Sequence, residues 1–216
     1  MSAQVYRAGA ELKEAAGVVV VLHGRGGSAR EILSLADALS DDRRLAWLAP
    51  QAEGSTWYPL SFLAPREENE PKLSLALATV QSVVEMAEAA GIGRERTVIG
   101  GFSQGACLST EYVATHPARY AGLLAFTGGL IGPLGSKLGP LGSDLGKSGD
   151  LAGTPAFLGG GDPDPHVPWS RVQESADILT AMGARVTLRR YPGRPHTVSP
   201  DELVSARALL AEAFPV

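Results

Sequence analysis

Thr97-Val98-Ile99-Gly100-Gly101-Phe102-Ser103-Gln104-Gly105-Ala106-Cys107-Leu108 is the stretch that decides the fold. It opens on a short apolar run that reads as a buried strand, turns on glycines, and passes into helical spacing over 106–115. Between the two lies Gly101-Phe102-Ser103-Gln104-Gly105, which fits G-x-S-x-G in the strand-to-helix setting that pattern needs. A turn this sharp lifts a serine oxygen clear of the sheet, and side chains at the flanking glycines would collide with neighbouring elements. Ser103 is the candidate nucleophile; the plainer alternative is a serine that only caps the helix.

The same alternation runs outward in both directions. Residues 18–22, 45–49, 123–126, 155–158 and 186–191 read as further strands, their continuous apolar character being what burial on both faces demands. Residues 5–8 suggest an antiparallel edge. Stretches 29–39, 73–90, 170–182 and 202–214 carry apolar residues at helical spacing. The last is preceded by Ser199-Pro200-Asp201, a serine N-cap with proline at the first helical position and Glu202 placed to bond back to the cap. Strand and helix in alternation build an α/β protein with a mainly parallel sheet and helices on both faces. The exception is 128–153, a glycine-rich loop with a near duplication (Gly132-Pro133-Leu134-Gly135-Ser136, then Gly139-Pro140-Leu141-Gly142-Ser143), which reads either as a lid or as a tolerated surface insertion.

Composition narrows the class of function. The chain has 216 residues, 44% of them hydrophobic, enough for one well-filled domain. Nineteen basic against twenty-three acidic residues give a formal charge of −4, so neither nucleic acid nor an anionic membrane surface is an expected partner. No apolar run approaches the length of a membrane span. A single cysteine, Cys107, excludes an internal disulfide and a cysteine-built metal centre, and reads as a buried small apolar residue. The first residues lack an export signal's basic-then-apolar pattern, so a reducing cytoplasm is the expected location.

A serine hydroxyl needs a base to take its proton and a carboxylate to orient that base. Gly159-Gly160-Gly161-Asp162-Pro163-Asp164-Pro165-His166-Val167-Pro168 and Tyr191-Pro192-Gly193-Arg194-Pro195-His196 both follow candidate strands. In a parallel sheet that edge is where sites assemble, so Ser103, an aspartate of the Asp162/Asp164 pair and His196 converge in the chain order Ser, Asp, His. Prolines between the acids stiffen the backbone and no second histidine stands at ligand spacing, which argues against a metal site there. His116, before Pro117, reads as a solvent-facing cation at a helix end. The oxyanion of acyl transfer needs N–H donors: the backbone N–H of Gln104 is one, and His23-Gly24-Arg25-Gly26-Gly27 supplies the other, with Arg25 the expected donor.

Taken jointly, Leu22-His23-Gly24-Arg25-Gly26-Gly27, Leu48-Ala49-Pro50 with Thr56-Trp57-Tyr58, the elbow around Ser103, Gly161 to Pro168 and Tyr191 to His196 resemble the phospholipase/carboxylesterase group of small α/β-hydrolases that includes the acyl-protein thioesterases. The resemblance spans nearly the whole chain and implies an α/β-hydrolase fold over 1–216 as a single domain. It implies a serine carboxylesterase or thioesterase acting on small to medium acyl substrates, with Asp164 and not Asp162 in the triad, main-chain donors at Arg25 and Gln104, and no cofactor or metal. Arginine at position 25 departs from the leucine usual in those thioesterases, and its guanidinium at the pocket mouth suits an ester bearing a carboxylate. Substrate contacts are expected from Arg25, Trp57, Tyr58, Leu130 and His166, although Trp57 is equally suited to covering the core. Room is left for a homodimer. The competing readings are a dienelactone-hydrolase-like lactonase, a group that favours cysteine at the elbow, and a non-catalytic binding protein on a hydrolase scaffold.

Overall fold

The computed structural model describes residues 3–135 and 149–215. Every residue of strand β2 (Gly17–Leu22) is buried, because apolar layers cover both of its faces. Val18, Val20 and Leu22 face one core and Val19 and Val21 the other, as the two-residue repeat of a strand requires. Around it stand β1 (Val5–Gly9), β3 (Leu45–Pro50), β4 (Thr97–Phe102), β5 (Gly122–Phe126), β6 (Pro155–Asp162) and β7 (Arg185–Pro192). Among the described residues the sheet has seven strands in the order β1-β3-β2-β4-β5-β6-β7. Only β1 is antiparallel, pairing Val5 with Pro50 and Gly9 with Ala46.

Helices α3 (Lys72–Ala89), α4 (Gln104–Thr115) and α5 (Trp169–Ala181) bury Val80, Val83, Leu108, Val113, Val172 and Leu179 against one face. Helices α1 (Ala29–Ile32), α2 (Ser34–Leu39) and α6 (Pro200–Ala213) bury Leu35, Leu39, Ala206 and Leu210 against the other. The capping box at α6 is formed: Ser199 Oγ accepts from Glu202 N, and Ser199 N donates to the Glu202 carboxylate at 2.9 Å.

Three sequence expectations change. The single helix over 29–39 is broken at Leu33, where the Ser34 hydroxyl bonds the Glu31 carbonyl at 2.7 Å and Ala36 N turns to Leu33 O. Strand β7 is not apolar throughout, because it is an edge strand and its Arg189 and Arg190 face solvent. His116 is not a solvent-facing cation: it is half-buried and stacks on Tyr112 at 4.4 Å, and burial lowers its pKa below the ordinary 6.5. Residues 136–148, the centre of the candidate lid, lie outside the described residues. Its flanks belong to the fold, with Leu130, Ile131 and Leu151 all buried.

Candidate active site

The turn between β4 and α4 holds Ser103 at φ 54°, the left-handed region that a non-glycine residue occupies only under tertiary constraint. Ser103 N donates to Phe126 O at 3.0 Å, and Ser103 O accepts from Cys107 N at 2.9 Å, so both sides of the strained residue are tied down. The glycines are required by close approach. A Cβ on Gly101 would stand 2.6 Å from Leu22 O, and one on Gly105 2.1 Å from the same atom. Ser103 Oγ makes no capping bond to α4, which removes the helix-cap alternative.

That hydroxyl is instead 2.9 Å from His196 Nε2, while His196 Nδ1 is 2.8 Å from Asp164 Oδ2. Asp164 Oδ1 accepts the N–H groups of His166 and Val167, each at 2.8 Å. Burial pushes the Asp164 carboxyl up, but the bonds from His196, Val167 and His166 together outweigh it and hold its pKa below the ordinary carboxylate value. Asp162 is turned away and pairs with Arg190. An ionised carboxylate on Nδ1 fixes the imidazole tautomer and leaves Nε2 to take a proton from the serine hydroxyl.

The loop carrying His196 is anchored from below by Arg194. Its guanidinium pairs with the fully buried Glu202, bonds Thr197 O, and donates to Thr127 Oγ1 at 2.7 Å. Glu202 therefore caps α6 and also neutralises Arg194. Phe102 and His166 pack their rings against His196, at 5.0 and 4.9 Å between centroids.

On the opposite side, the end of β2 pairs with β4 at Leu22 and Gly101, which sets the Gly24–Gly27 turn beside Ser103. His23 shapes that turn from inside the protein: Nδ1–H donates to Gly24 O at 2.7 Å and Nε2 accepts from Ala52 N at 3.1 Å. Burial lowers its pKa below 6.5, partly offset by Gly24 and Glu31. Gln104 N occupies the first turn of α4, where no intrahelical acceptor exists. Neither this N–H nor that of Arg25 has an acceptor among the described residues. The Gln104 side chain accepts from Trp57 N at 3.0 Å and donates to Tyr58 O at 2.8 Å, clamping the loop after β3 onto the elbow.

These elements enclose a cleft of about 690 Å³ lined by Arg25, Tyr58, Ser103, Gln104, His166 and His196, with Phe62, Phe102 and Val167 among its apolar walls. Trp57 and Leu130 are not among the lining residues. Trp57 is buried and donates its indole N–H to His23 O at 2.9 Å; Leu130 is core, its main chain held by Ser175 and Arg171. Cys107 lies at the cleft wall, and burial pushes its thiol up to about 12, leaving no thiolate near neutral pH. Sequence reasoning missed Phe102, the 59–62 loop and the Arg194–Glu202 pair. Phe102 lies within the elbow motif and was within reach; loop and pair carry no local signal. Among the described residues no group of acids, histidines and cysteines is arranged to hold a metal ion.

A left-handed serine at a strand-to-helix elbow on a mainly parallel sheet is the architecture of an α/β-hydrolase. The phospholipase/carboxylesterase family model matches residues 8–213, and the chain belongs to that family. The crystal structure of a phospholipase/carboxylesterase from Dyadobacter fermentans is similar over 97% of both chains, with 47% sequence identity and a TM-score of 0.90. Acyl-protein thioesterase 1 of Cryptococcus neoformans is 29% identical over 91% of this chain and 92% of its own. The Gibberella zeae protein of that name is 30% identical over 69% of this chain, a match spanning 62% of that relative's length. The protein is a hydrolase of the esterase and thioesterase class. Among the described residues no helix is long and apolar enough to cross a membrane.

Proposed function

We propose that the protein is a serine hydrolase that cleaves carboxylic esters or thioesters of small to medium acyl groups through an acyl-enzyme. Ser103 attacks the acyl carbonyl while His196 takes its proton, and Asp164 orients the imidazole and stabilises it once charged. The oxyanion is held by the N–H groups of Arg25 and Gln104, a contribution of about 10²–10³ in rate for each donor. His196 then passes its proton to the leaving group and activates the water that frees the enzyme. Small-molecule acyl compounds are its partners in a reducing cytoplasm, with no nucleic acid, and Tyr58 and His166 contact the substrate.

The observation that carries this reading is the single imidazole bonded at once to Ser103 Oγ, at 2.9 Å, and to Asp164 Oδ2, at 2.8 Å. Labelling by a fluorophosphonate probe tests it. The expected result is one modified residue, Ser103, with no label on Ser103→Ala; a wild-type protein that stays unlabelled while folded overturns it. A panel of esters and thioesters matched in acyl length then separates the two leaving-group classes, and sedimentation decides between monomer and homodimer.

A further inference from the structure

Resting on that serine-hydrolase reading, we propose that the Arg25 side chain selects acyl substrates that carry a carboxylate a few bonds away from the carbonyl under attack. Arg25 lines the cleft with Ser103 and His196, and its guanidinium is permanently charged. The side chain is exposed but not loose. Nη1 donates to Pro59 O at 2.9 Å and to Thr56 Oγ1 at 3.4 Å, Nη2 donates to Leu60 O at 2.7 Å, and the guanidinium carbon stands 6.0 Å from the Tyr58 ring centre. All of these acceptors are neutral. They fix where the charge sits without cancelling it, and among the described residues no carboxylate lies within ion-pair distance of Arg25.

A guanidinium has five N–H donors, and the three contacts leave Nε–H and one hydrogen of Nη2 without an acceptor among the described residues. Among the described residues the cleft lining contains no aspartate or glutamate, although the chain as a whole has a formal charge of −4. A held, uncompensated cation in a cleft without acids is complementary to an anion, and spare N–H donors on a planar fork suit a carboxylate. The backbone N–H of the same residue faces the oxyanion position in the proposed mechanism. The guanidinium therefore sits one side chain away from the reacting carbonyl, within reach of a short half-ester. The carboxylate can stand on the acyl side or on the alcohol side; both present the same group to Arg25.

The competing role is a brace that only ties the 56–60 loop to the turn. Matched pairs of esters separate the two: a p-nitrophenyl half-ester of glutaric acid against p-nitrophenyl valerate, and acetylated 4-hydroxybenzoate against its methyl ester. The quantity read is the ratio of kcat/KM, charged over neutral. In the wild type at least one pair favours the charged member, and the pair that does so identifies the side. Arg25→Gln lowers that ratio about tenfold and Arg25→Glu lowers it further, while added salt shrinks the wild-type ratio. If both members of each pair slow equally in the variants, the brace is the whole role and the proposal fails. Fluorophosphonate labelling of Ser103 runs beside these assays. Labelling with an unchanged ratio overturns this proposal alone, whereas absence of labelling in the folded wild type overturns the serine-hydrolase reading and this with it.

Discussion

On the His196 side of the cleft, the chemistry-bearing loop rests on a guanidinium and a carboxylate that are both almost completely shielded from water, Arg194 and Glu202. On the Arg25 side, an exposed arginine reaches main-chain carbonyls of the 59–60 loop, and Gln104 holds residues 57 and 58 through their backbone. The first arrangement depends on which side chains are present. The second holds loop backbone, so the side chains at 59–61 are left free of it beside the cleft, Leu60 being 43% exposed, while Phe62 is buried in the core. One cleft thus joins a wall built for invariance of geometry to a wall built for tolerance of sequence.

The largest expected effects lie at Ser103, His196 and Asp164. Ser103→Ala is expected to lower kcat by about 10⁴-fold or more with the melting temperature unchanged, and Asp164→Asn to lower it by about 10³–10⁴-fold through the wrong tautomer. A small loss in either would place the chemistry elsewhere.

Next comes the anchor. Burial pushes the Glu202 carboxyl above its ordinary range, with Ser199 and Arg194 holding it back down. Arg194→Met strands that carboxylate and is expected to destabilise the fold by about 3–5 kcal/mol, with kcat falling more than KM rises. Denaturant unfolding and steady-state kinetics check both; the joint change Arg194→Met with Glu202→Leu should recover much of the stability but not the rate, since His196 stays unanchored.

On the tolerant wall the expected effect is smaller and depends on pH. His23 is held below the ordinary 6.5 by burial, so the unfolded chain takes up its proton first as pH falls. Its contribution to stability is complete above about 6.5 and is lost on acidification through the lowered value; His116 acts in the same direction. The melting temperature of the wild type should drop below that pH, and His23→Gln should flatten the drop without abolishing it. A profile of His23→Gln parallel to the wild type would sever the link between this imidazole and the turn. Least affected is Cys107: with its thiol pushed up to about 12, the folded protein should resist iodoacetamide at neutral pH and react only once denatured.

Much of this architecture is legible in the residues. Strands β2 to β6 announce themselves by unbroken apolar runs, because both of their faces are covered. Strand β7 does not follow that rule, since the edge of a sheet needs apolar residues on one face at most. The break at Leu33 escapes a periodicity argument, as apolar spacing continues across it and only the Ser34 hydroxyl marks the interruption. Ser199 and Glu202 stand three residues apart, and their reciprocal bonds can be read from that spacing. The bond between Arg194 and Glu202 cannot, because a loop and a helix start must first be folded against each other. Trp57 and Leu130 illustrate a different limit: an apolar side chain after a strand is equally suited to core and to cleft, and only packing decides between them.

Gln104 meets three parts of the molecule at once. Its amide nitrogen faces the position proposed for the oxyanion, its backbone begins α4, and its carboxamide grips Trp57 N and Tyr58 O. A saturation library at this codon should therefore return almost nothing but the parent residue, while one at Leu60, just past the Tyr58 that Gln104 holds, should return a spectrum of active proteins with altered appetites.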